Sequence, residues 1–492
     1  MTSHNTAAKG PANHSNPKEM SLTKQLVLFS IPLILGALLQ QMFNWADAFI
    51  LGNVAGEAAL GAVGATVVLT QLLVMLLTGF SSGVSILSAR YFGAGEHHKQ
   101  RRVLGSFLAI LLAVGLVLAV IGFFFSGQIL LIMETPAAIL EDGAVYMHLV
   151  LLGMPWLAIY NVYAAILRGM GNSRSPFVCL AVAGILNVIL DYVFVAVLNA
   201  GVAGAAWATV LTQALSAILV VIITCRKYPD LHLFGKLLQA PTQPISENES
   251  AAGAASVAAT QPISENDTAA DRRLWDPVIV REGLALAIPI TIKSMLTGLG
   301  SVLLQNFMNG FGEVTVAAIT TSYRVDSALL LPVINTGVGI STMVSQSVGA
   351  GDTKRARQFF SKGVLLMLLF SGIMALFIWF MGGTMVSIFG VGPEAASIGL
   401  NFFRRLGSFY PIFGVMLALS GYLEGRGDVF AAGAITVSGL LVRIALSYSL
   451  VGIFDNMVIA WAEGFSWCYM LVVFLLRKWR YDRTHEAVTA SP

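Results

Sequence analysis

Two acidic residues lie in long apolar stretches of the sequence, where a carboxylate needs a specific reason to be present. Asp191 stands midway through one apolar run, and Asn187 precedes it by one helical turn, so that both side chains project from the same helix face. Asp47 ends an earlier run and completes a polar stripe with Gln40 and Asn44. An ionisable side chain at the centre of a spanning helix costs about 2.5–3.5 kcal/mol on insertion scales, so both aspartates are candidates for function.

The predicted helix directions put these side chains at a similar depth. If the first and fifth helices run outward, Asp47 lies at the outer end of the first, and Asp191 lies about two turns from the exit of the fifth. The sixth helix then runs inward, and Thr209 lies about two turns from its outer start. Two carboxylates, a carboxamide and a hydroxyl at one depth provide hard oxygen ligands for Na⁺, or a carboxylate pair that shares and releases a proton. The alternatives are a structural carboxylate at Asp191, an interfacial loop residue at Asp47 and a Thr209 hydroxyl bonded to its own helix.

The elements that must position these residues are transmembrane helices. Of the 492 residues, 56% are apolar and only 11% are charged, with a mean hydropathy of +0.77, which leaves too little polar surface for a water-soluble globule. Apolar runs of about 20 residues predict twelve spans. They lie near 26–47, 59–80, 104–126, 144–166, 177–198, 203–224, 284–308, 315–345, 363–389, 398–422, 429–452 and 457–477. The predicted fold is an all-α integral membrane protein with two six-helix bundles.

These spans divide the chain into five segments. They are a polar cytoplasmic N-terminus (1–25) without a cleaved targeting signal, a first lobe (26–224), a partly disordered cytoplasmic linker (225–282), a second lobe (283–477) and a cytoplasmic tail (478–492). Within the linker the segment 242–248 recurs at 260–266, which we interpret as a slippage duplication without chemistry.

The charges between the runs predict the orientation. The connections after the second, fourth and eighth runs carry Arg and Lys, whereas the intervening connections carry mainly Asp and Glu. The positive-inside rule puts the basic connections in the cytoplasm, together with both termini. We therefore expect a multi-pass protein of the plasma membrane or the bacterial inner membrane. The surface with the basic connections is called the basic face below.

The two halves of the chain repeat each other. Gly93-Ala-Gly-Glu96 returns as Gly349-Ala-Gly-Asp352 (352 − 96 = 256), and Ile31-Pro32 returns as Ile288-Pro289 (289 − 32 = 257). A shared offset favours duplication, and six crossings in each half make it a parallel repeat about an axis along the membrane normal, with substrate passing between the halves. The Gly-Ala-Gly segments are predicted to be tight turns with glycines at positive φ, because no P-loop pattern accompanies them.

The second half carries different charges in its predicted spans. They are Lys293, Arg324, Asp326 and Arg443. Asn187 falls on Arg443 (443 − 187 = 256) and Asp191 on Ser447 (447 − 191 = 256), so the sequence predicts that the ion site is confined to the first half. Arg324 and Asp326 do not face each other on a helix, which predicts partners elsewhere, and structural roles are favoured for this set.

Other chemistry finds no support in the sequence. Cys179, Cys225 and Cys468 are too widely spaced for a zinc or redox motif, and no His/Asp or metal constellation suggests an enzyme. A net charge of +3 gives no argument for nucleic-acid binding. We expect no catalytic site and no cofactor, with H⁺ or Na⁺ as coupling ion. Prolines are predicted to begin or bend spanning helices at Pro32, Pro155, Pro289, Pro332 and Pro411.

Several segments resemble the multidrug and toxic compound extrusion (MATE) family. They begin at Asn44 (NWADAFILG), Arg168 (RGMGN), Asn187 (NVILD) and Gly201 (GVAGAAWAT), and the likeness covers nearly the whole membrane portion. Within the family, the Asn187/Asp191 pair resembles the branch typified by DNA-damage-inducible protein F. The resemblance implies a V-shaped pair of bundles and efflux by alternating access driven by protons or sodium.

The resemblance also implies roles for individual residues. Asp47, Asn187, Asp191 and Thr209 match the cation site in the first lobe of that branch, and Gln40 and Asn161 match positions that line the pocket. Asn44, Lys293, Arg324 and Arg443 complete the predicted pocket set. Two departures stand out: Tyr192 follows Asp191 where the branch often has proline, and Lys293 replaces the helix-7 carboxylate of the norfloxacin-pump branch.

The leading functional hypothesis is an antiporter that acts as a monomer in the lipid bilayer. It would export drugs or other small amphipathic organic compounds in exchange for H⁺ or Na⁺. The alternative is a lipid-linked glycan flippase of a related fold, in which Lys293 and Arg443 would meet a pyrophosphate.

Overall fold

The computed structural model describes residues 20–233 and 274–489, and every regular element in these two ranges is a helix. Most of the predicted N-terminal segment lies outside the described residues. So do the linker repeat at 242–248 and 260–266 and the disorder expected around it.

Residues 20–233 form seven α-helices, because the fourth span of the first half is divided into two. They are α1 (Leu22–Ile50), α2 (Glu57–Gly93), α3 (His97–Ile132), α4 (Ala137–Leu152), α5 (Met154–Gly169), α6 (Arg174–Asp191) and α7 (Gly201–Lys227). Two π-helical turns, Leu51–Ala55 and Tyr192–Val197, extend α1 and α6, and a short 3₁₀ turn, Pro229–Leu231, follows α7.

The described residues of the second half, 274–489, form eight α-helices, with the second and fourth spans divided. They are α8 (Pro277–Met308), α9 (Glu313–Leu329), α10 (Leu331–Gly349), α11 (Thr353–Ser387), α12 (Pro393–Gly407), α13 (Tyr410–Arg426), α14 (Val429–Phe454) and α15 (Val458–Thr489). The 3₁₀ turns Asn309–Phe311 and Asp455–Met457 follow α8 and α14. Helix α15 extends into the predicted tail as far as Thr489, and α8 begins inside the predicted linker.

These helices make twelve membrane crossings. Eight apolar helical stretches are long enough to span a bilayer, and three bent helix pairs each form one further span. The longest stretch, Val429–Thr484, has 56 residues, far more than the roughly 20 that one crossing needs. It divides at the 3₁₀ turn between α14 and α15, which pack against each other, so it accounts for two crossings. The predicted count of twelve is confirmed.

Three of the five predicted proline positions coincide with sharp bends. Pro155, Pro332 and Pro411 stand in the first turn of α5, α10 and α13. The bends that precede these helices measure 42°, 42° and 51°. Proline is tolerated there because a first-turn residue has no intrahelical partner for its N–H group. Pro32 and Pro289 lie inside α1 and α8 without dividing them.

The two halves interlock through their first helices. Leu26 and Phe29 of α1 belong to the hydrophobic core of the second half, because α1 packs against α10 and α11 as well as α6. In the reciprocal arrangement, Leu286 and Ile290 of α8 belong to the core of the first half, where α8 packs against α2. A displacement of α1 therefore acts on both halves.

The repeated Gly-Ala-Gly segments form equivalent turns on the basic face. The second glycine of each segment has a left-handed backbone, with φ +74° at Gly95 and φ +72° at Gly351. Only glycine adopts this conformation without strain from a Cβ atom. The predicted turns are thus confirmed, and the two halves share them.

Candidate functional site

The two candidate aspartates of the first half meet. The carboxyl groups of Asp47 on α1 and Asp191 on α6 lie within hydrogen-bonding reach of each other. Asp191 is only 1% exposed, and neither of its carboxylate oxygens has a hydrogen-bond donor in the described part of the chain. One oxygen of Asp47, Oδ1, is likewise buried without a partner. Each aspartate therefore presents oxygen atoms to the other with nothing between them to neutralise two charges.

Irregular helix geometry surrounds this carboxyl pair. The π-helical turn Leu51–Ala55 begins one turn after Asp47, and the π-helical turn Tyr192–Val197 begins directly after Asp191. The two turns pack against each other and against α7, with Leu51 and Val195 in a small apolar cluster. Wide turns of this kind are frequent at functional sites. Tyr192, which departs from the family pattern, thus lies in one of these π-helical turns.

Further polar groups belong to the same neighbourhood. Asn187 is 8% exposed, and its Nδ2 amide is buried without an acceptor in the described ranges. The Tyr146 ring of α4 packs on the apolar cluster at the π-helical turns, and its phenol interacts electrostatically with both aspartates. Sequence reasoning missed Tyr146, because a tyrosine near a helix end is ordinary at a membrane surface. Thr209 stands one turn after Ala205 of the apolar cluster, and its hydroxyl donates to the Ala205 carbonyl oxygen at 3.1 Å.

The predicted pocket residues of the first half are more scattered. Gln40 and Asn44 are exposed on α1, where the Gln40 amide donates to Asn44 Oδ1 at 3.4 Å. Asn161 is buried on α5, and its amide donates to the Leu157 carbonyl oxygen of the same helix at 2.9 Å. The structure thus brings together the aspartates, Asn187 and Tyr146, while Asn161 bonds within α5.

Two of the three predicted basic residues of the second half, Lys293 and Arg443, are paired with glutamates. Lys293 of α8 donates to Glu424 of α13 at 2.6 Å, and Arg443 of α14 donates to Glu463 of α15 at 2.8 Å. Sequence reasoning missed both glutamates, because an acidic residue in such a helix segment is also expected at the membrane surface. Arg324 is exposed on α9.

Asp326 has the partner elsewhere that the helix spacing predicts. It is 6% exposed on α9, and the Tyr410 hydroxyl of α13 donates a hydrogen bond to its Oδ1 atom. The second half therefore contains buried carboxyl groups of its own, although at positions that differ from those of the first.

The carboxyl pair of the first half can bind a cation. Two carboxylates held this close in apolar surroundings repel each other strongly unless a cation lies between them or one of them takes up a proton. Carboxylate and amide oxygens also suit Na⁺. The unpartnered oxygens of Asp47 and Asp191 fit either ion, with Asn187 and Tyr146 beside them.

The described residues form helical spans in two repeated halves, with a buried carboxyl pair near the ends of α1 and α6. This arrangement is typical of secondary transporters. The MatE family model matches residues 32–193 and again residues 289–449, in register with the internal repeat (289 − 32 = 257). Together these matches cover more than half of the chain, which belongs to the MatE family of multidrug and toxic compound extrusion transporters.

Similar proteins span almost the whole chain. The probable multidrug resistance proteins YpnP and YoeA of Bacillus subtilis are 25% and 26% identical over 472 and 477 residues, which cover 94% of this chain and 96% of each relative. Among solved structures, a MOP superfamily transporter from Pyrococcus furiosus superposes with a TM-score of 0.79 at 18% identity, covering 93% of this chain and 96% of that one. The protein is thus a multi-pass membrane protein with the transporter fold.

Proposed function

We propose that this protein is an antiporter that exports drugs or other small amphipathic organic compounds in exchange for H⁺ or Na⁺ by alternating access. The observation that carries the proposal is the buried, mutually facing pair Asp47 and Asp191. The protein acts as a monomer in a bacterial inner or plasma membrane, with the basic face and both termini in the cytoplasm. It catalyses no reaction and needs no cofactor beyond the coupling ion.

The carboxyl pair couples ion binding to a movement of α1. With a cation bound, Asp47 and Asp191 draw α1 and α6 together, and without it their charges push the helices apart. Helix α1 also packs against α10 of the other half, and Ser173 at the start of α6 donates to the Phe29 carbonyl oxygen of α1 at 2.7 Å. Displacement of α1 therefore changes the contact between the halves, which is the differential interaction that coupling requires.

Two further observations support the antiporter over the glycan flippase. The flippase needs the charges of Lys293 and Arg443 to be available to a pyrophosphate, but both are neutralised by Glu424 and Glu463 at hydrogen-bonding distance. The names of the similar Bacillus subtilis proteins refer to multidrug resistance, which supports amphipathic compounds as substrates. The resemblance of Asp47, Asn187 and Asp191 to positions of the DNA-damage-inducible protein F branch is in keeping with a cation site in the first lobe.

Transport by reconstituted protein tests the proposal. Vesicles loaded with ethidium, an amphipathic cation, receive either a proton gradient or a sodium gradient, and dye flux is followed by fluorescence. We expect one gradient to drive flux, and we expect Asp47→Asn and Asp191→Asn each to reduce gradient-driven flux by about tenfold or more, within the usual range of coupling energies.

A matched control separates coupling from general damage. Asp230 lies exposed in the 3₁₀ turn after α7, at the opposite end of that helix from Ala205 and the carboxyl pair, so Asp230→Asn removes a carboxylate without touching the site. The control should transport as the unmodified protein does. Gradient-driven flux that survives the double change Asp47→Asn with Asp191→Asn would contradict the proposed mechanism.

A further inference from the structure

Five side chains from four helices, three of them buried and two partly buried, form a polar cluster inside the second half. The cluster contains Tyr323 and Asp326 of α9, Tyr410 of α13, Arg443 of α14 and Glu463 of α15, and is called the second-half cluster below. The Arg443 guanidinium donates to Glu463 Oε2 at 2.8 Å and to the Tyr323 hydroxyl at 2.6 Å, and Tyr323 donates to the same Glu463 oxygen at 2.7 Å. Tyr410 donates to Asp326.

The charges of the second-half cluster do not balance. Glu463 and Asp326 are two carboxyl groups, and Arg443 is one cation, which is bound to Glu463. Asp326 is left with a neutral phenol as its hydrogen-bond partner. A buried carboxylate without a paired cation is very costly, and such a group takes up a proton instead.

Among the residues that the structure describes, no second cation pairs with Asp326. Helices α10, α11 and α12 also pack against α9, and the charged groups that act on Asp326 are Glu463 and Arg443. Phe402 of α12 lies against the Tyr323 ring, with centroids 5.3 Å apart, and Trp467 of α15 lies near the Tyr410 ring. Aromatic rings therefore occupy the sides of the second-half cluster where a second cation would be needed to neutralise Asp326.

The internal repeat relates the second-half cluster to the carboxyl pair of the first half. Arg443 occupies the position that corresponds to Asn187, and Ser447, which is 1% exposed, corresponds to Asp191. Where the first half has carboxyl oxygens open to an exchangeable cation, the second half has a guanidinium of its own. This guanidinium neutralises one carboxyl group, and the carboxyl group of Asp326 remains without a cation.

The geometry points to a proton-binding site at Asp326, in addition to the cation site of the first half. One oxygen of Asp326 accepts the hydrogen bond from Tyr410, and we propose that the other oxygen carries the proton. Release transfers this proton to water and leaves a carboxylate that faces Glu463 without a cation of its own. The proposal uses none of the carboxyl groups on which the proposed antiport rests.

The position of this bond connects the proton to helix bending. Asp326 lies one turn before the 42° bend between α9 and α10, where the Leu330 amide donates to the Asp326 carbonyl oxygen at 2.9 Å. Tyr410 is the first residue of α13, directly after the 51° bend. The hydrogen bond therefore ties two bent spans together at their bends. Proton release strengthens this hydrogen bond, because a carboxylate accepts a stronger hydrogen bond than a neutral acid does, and it adds repulsion between Asp326 and Glu463 of α15.

Infrared spectroscopy of the purified protein in lipid nanodiscs tests the site directly. A protonated carboxyl group gives a carbonyl band that an ionised one lacks, and the band shifts in D₂O. We expect a band that persists in Asp47→Asn with Asp191→Asn and is lost when Asp326→Asn is added. Asparagine has the size and neutrality of the protonated acid, so this variant should fold, and thermal unfolding verifies it.

Tyr410→Phe provides a second variant that keeps the acid. Removing the donated hydrogen bond should move the carbonyl band to higher frequency without abolishing it. A band that remains after all three aspartates are changed, or no band once the first-half aspartates are changed, would overturn the proposal. Failure of the antiport proposal would leave the Asp326 band in place, so the two failures are distinguishable.

Discussion

Gly93 of α2 and Gln346 of α10 approach so closely on the basic face that a Cβ atom on Gly93 would lie 1.9 Å from the Gln346 carbonyl oxygen. The same relation holds in the other direction, since a Cβ atom on Gly349 would lie 2.0 Å from the Arg90 carbonyl oxygen. The first glycine of each repeated turn thus rests on the backbone of the other half. These two contacts close the gap between the halves on the basic face.

Changing Gly93 to alanine should open this contact. The added methyl group meets backbone rather than a movable side chain, and overpacking of this kind costs roughly 1–3 kcal/mol. We expect the population with a closed basic face to fall by about tenfold, which corresponds to about 1.4 kcal/mol. Spin labels at the exposed positions His98 and Lys354, in a background with the three cysteines replaced, would report a longer distance between the halves.

Gly64→Ala is the matched control for this experiment. Gly64 lies on the same helix, and a Cβ atom there would meet nothing within 4 Å. The label distance should be unchanged in this variant. Equal distance distributions in Gly93→Ala and the unmodified protein would show that the halves separate elsewhere.

Removing the Tyr146 hydroxyl should weaken binding of the coupling ion. The phenol lies near both aspartates of the carboxyl pair, and a hydrogen bond that it donates to a charged group there would contribute about 1.5–3 kcal/mol. We expect Tyr146→Phe to raise the concentration of the driving ion needed for half-maximal transport by at least about tenfold, since tenfold corresponds to about 1.4 kcal/mol. Flux measured against a series of driving-ion concentrations provides this value.

The neighbour of Asp191 in the chain supplies the control. Tyr192 is 58% exposed, so its ring points away from the carboxyl pair. Tyr192→Phe should leave the half-maximal ion concentration unchanged. A similar loss in both variants would mean that the effect comes from local packing and not from the Tyr146 hydroxyl.

The first-half site was accessible to sequence reasoning because helix register determines it. Asn187 and Asp191 share a face, and alternating helix direction gives Asp47 the same depth, so their meeting follows from spacing alone. Tyr146 comes from a fourth span that is divided by a bend, and the rotation at a bend cannot be read from a periodic pattern. The π-helical turns arise from packing between α1, α6 and α7, which local propensity does not encode.

The ion pairs of the second half show a different limit of prediction from sequence. Lys293 and Glu424 are separated by 131 residues, and many other pairings of the charges in this half are compatible with the helix pattern. Glu463 lies near the start of α15, where an acidic residue resembles an ordinary surface residue. The sequence therefore predicts that Lys293 and Arg443 are embedded but not that each has its own carboxylate.

Removing one charge of the ion pair between Lys293 and Glu424 should lower the stability of the fold more than removing both charges. The side chains are 20% and 16% exposed, between the surface and the buried case, so Lys293→Met should lower stability by about 2 kcal/mol. The double change with Glu424→Met should recover part of this loss, because no unpaired charge remains. Thermal unfolding of the purified variants measures both effects.

The pair between Lys99 and Glu96 is the control for this cycle. Its side chains are 31% and 38% exposed on the basic face, and such pairs contribute at most about 1 kcal/mol. Lys99→Met should thus have little effect on unfolding. If the stability loss of the Lys293 and Glu424 double variant equals the sum of the losses in the two single variants, the two charges do not compensate each other, which would contradict the assignment of an ion pair.

Gly184 sets the separation between the two helices that carry the carboxyl pair. A Cβ atom on Gly184 of α6 would lie 1.7 Å from the Phe43 ring of α1, one turn before Asp47. Phe43 is itself buried, so Gly184→Ala forces α1 and α6 apart at the level of the site, at a cost of roughly 1–3 kcal/mol. Because the cation must contact both aspartates, its affinity should fall by about tenfold, equivalent to about 1.4 kcal/mol.

Gly36→Ala tests whether this loss depends on the carboxyl pair. Gly36 lies on α1 and faces α6, but a Cβ atom there would meet Leu180 and Phe177 at 3.6 Å, which is ordinary contact. The same helix pair is thus altered without being pushed apart, and ion-driven flux should follow the unmodified protein. If Gly184→Ala and Gly36→Ala bind the driving ion equally well, the spacing between α1 and α6 does not control the site, and coupling through a displacement of α1 would have to be abandoned.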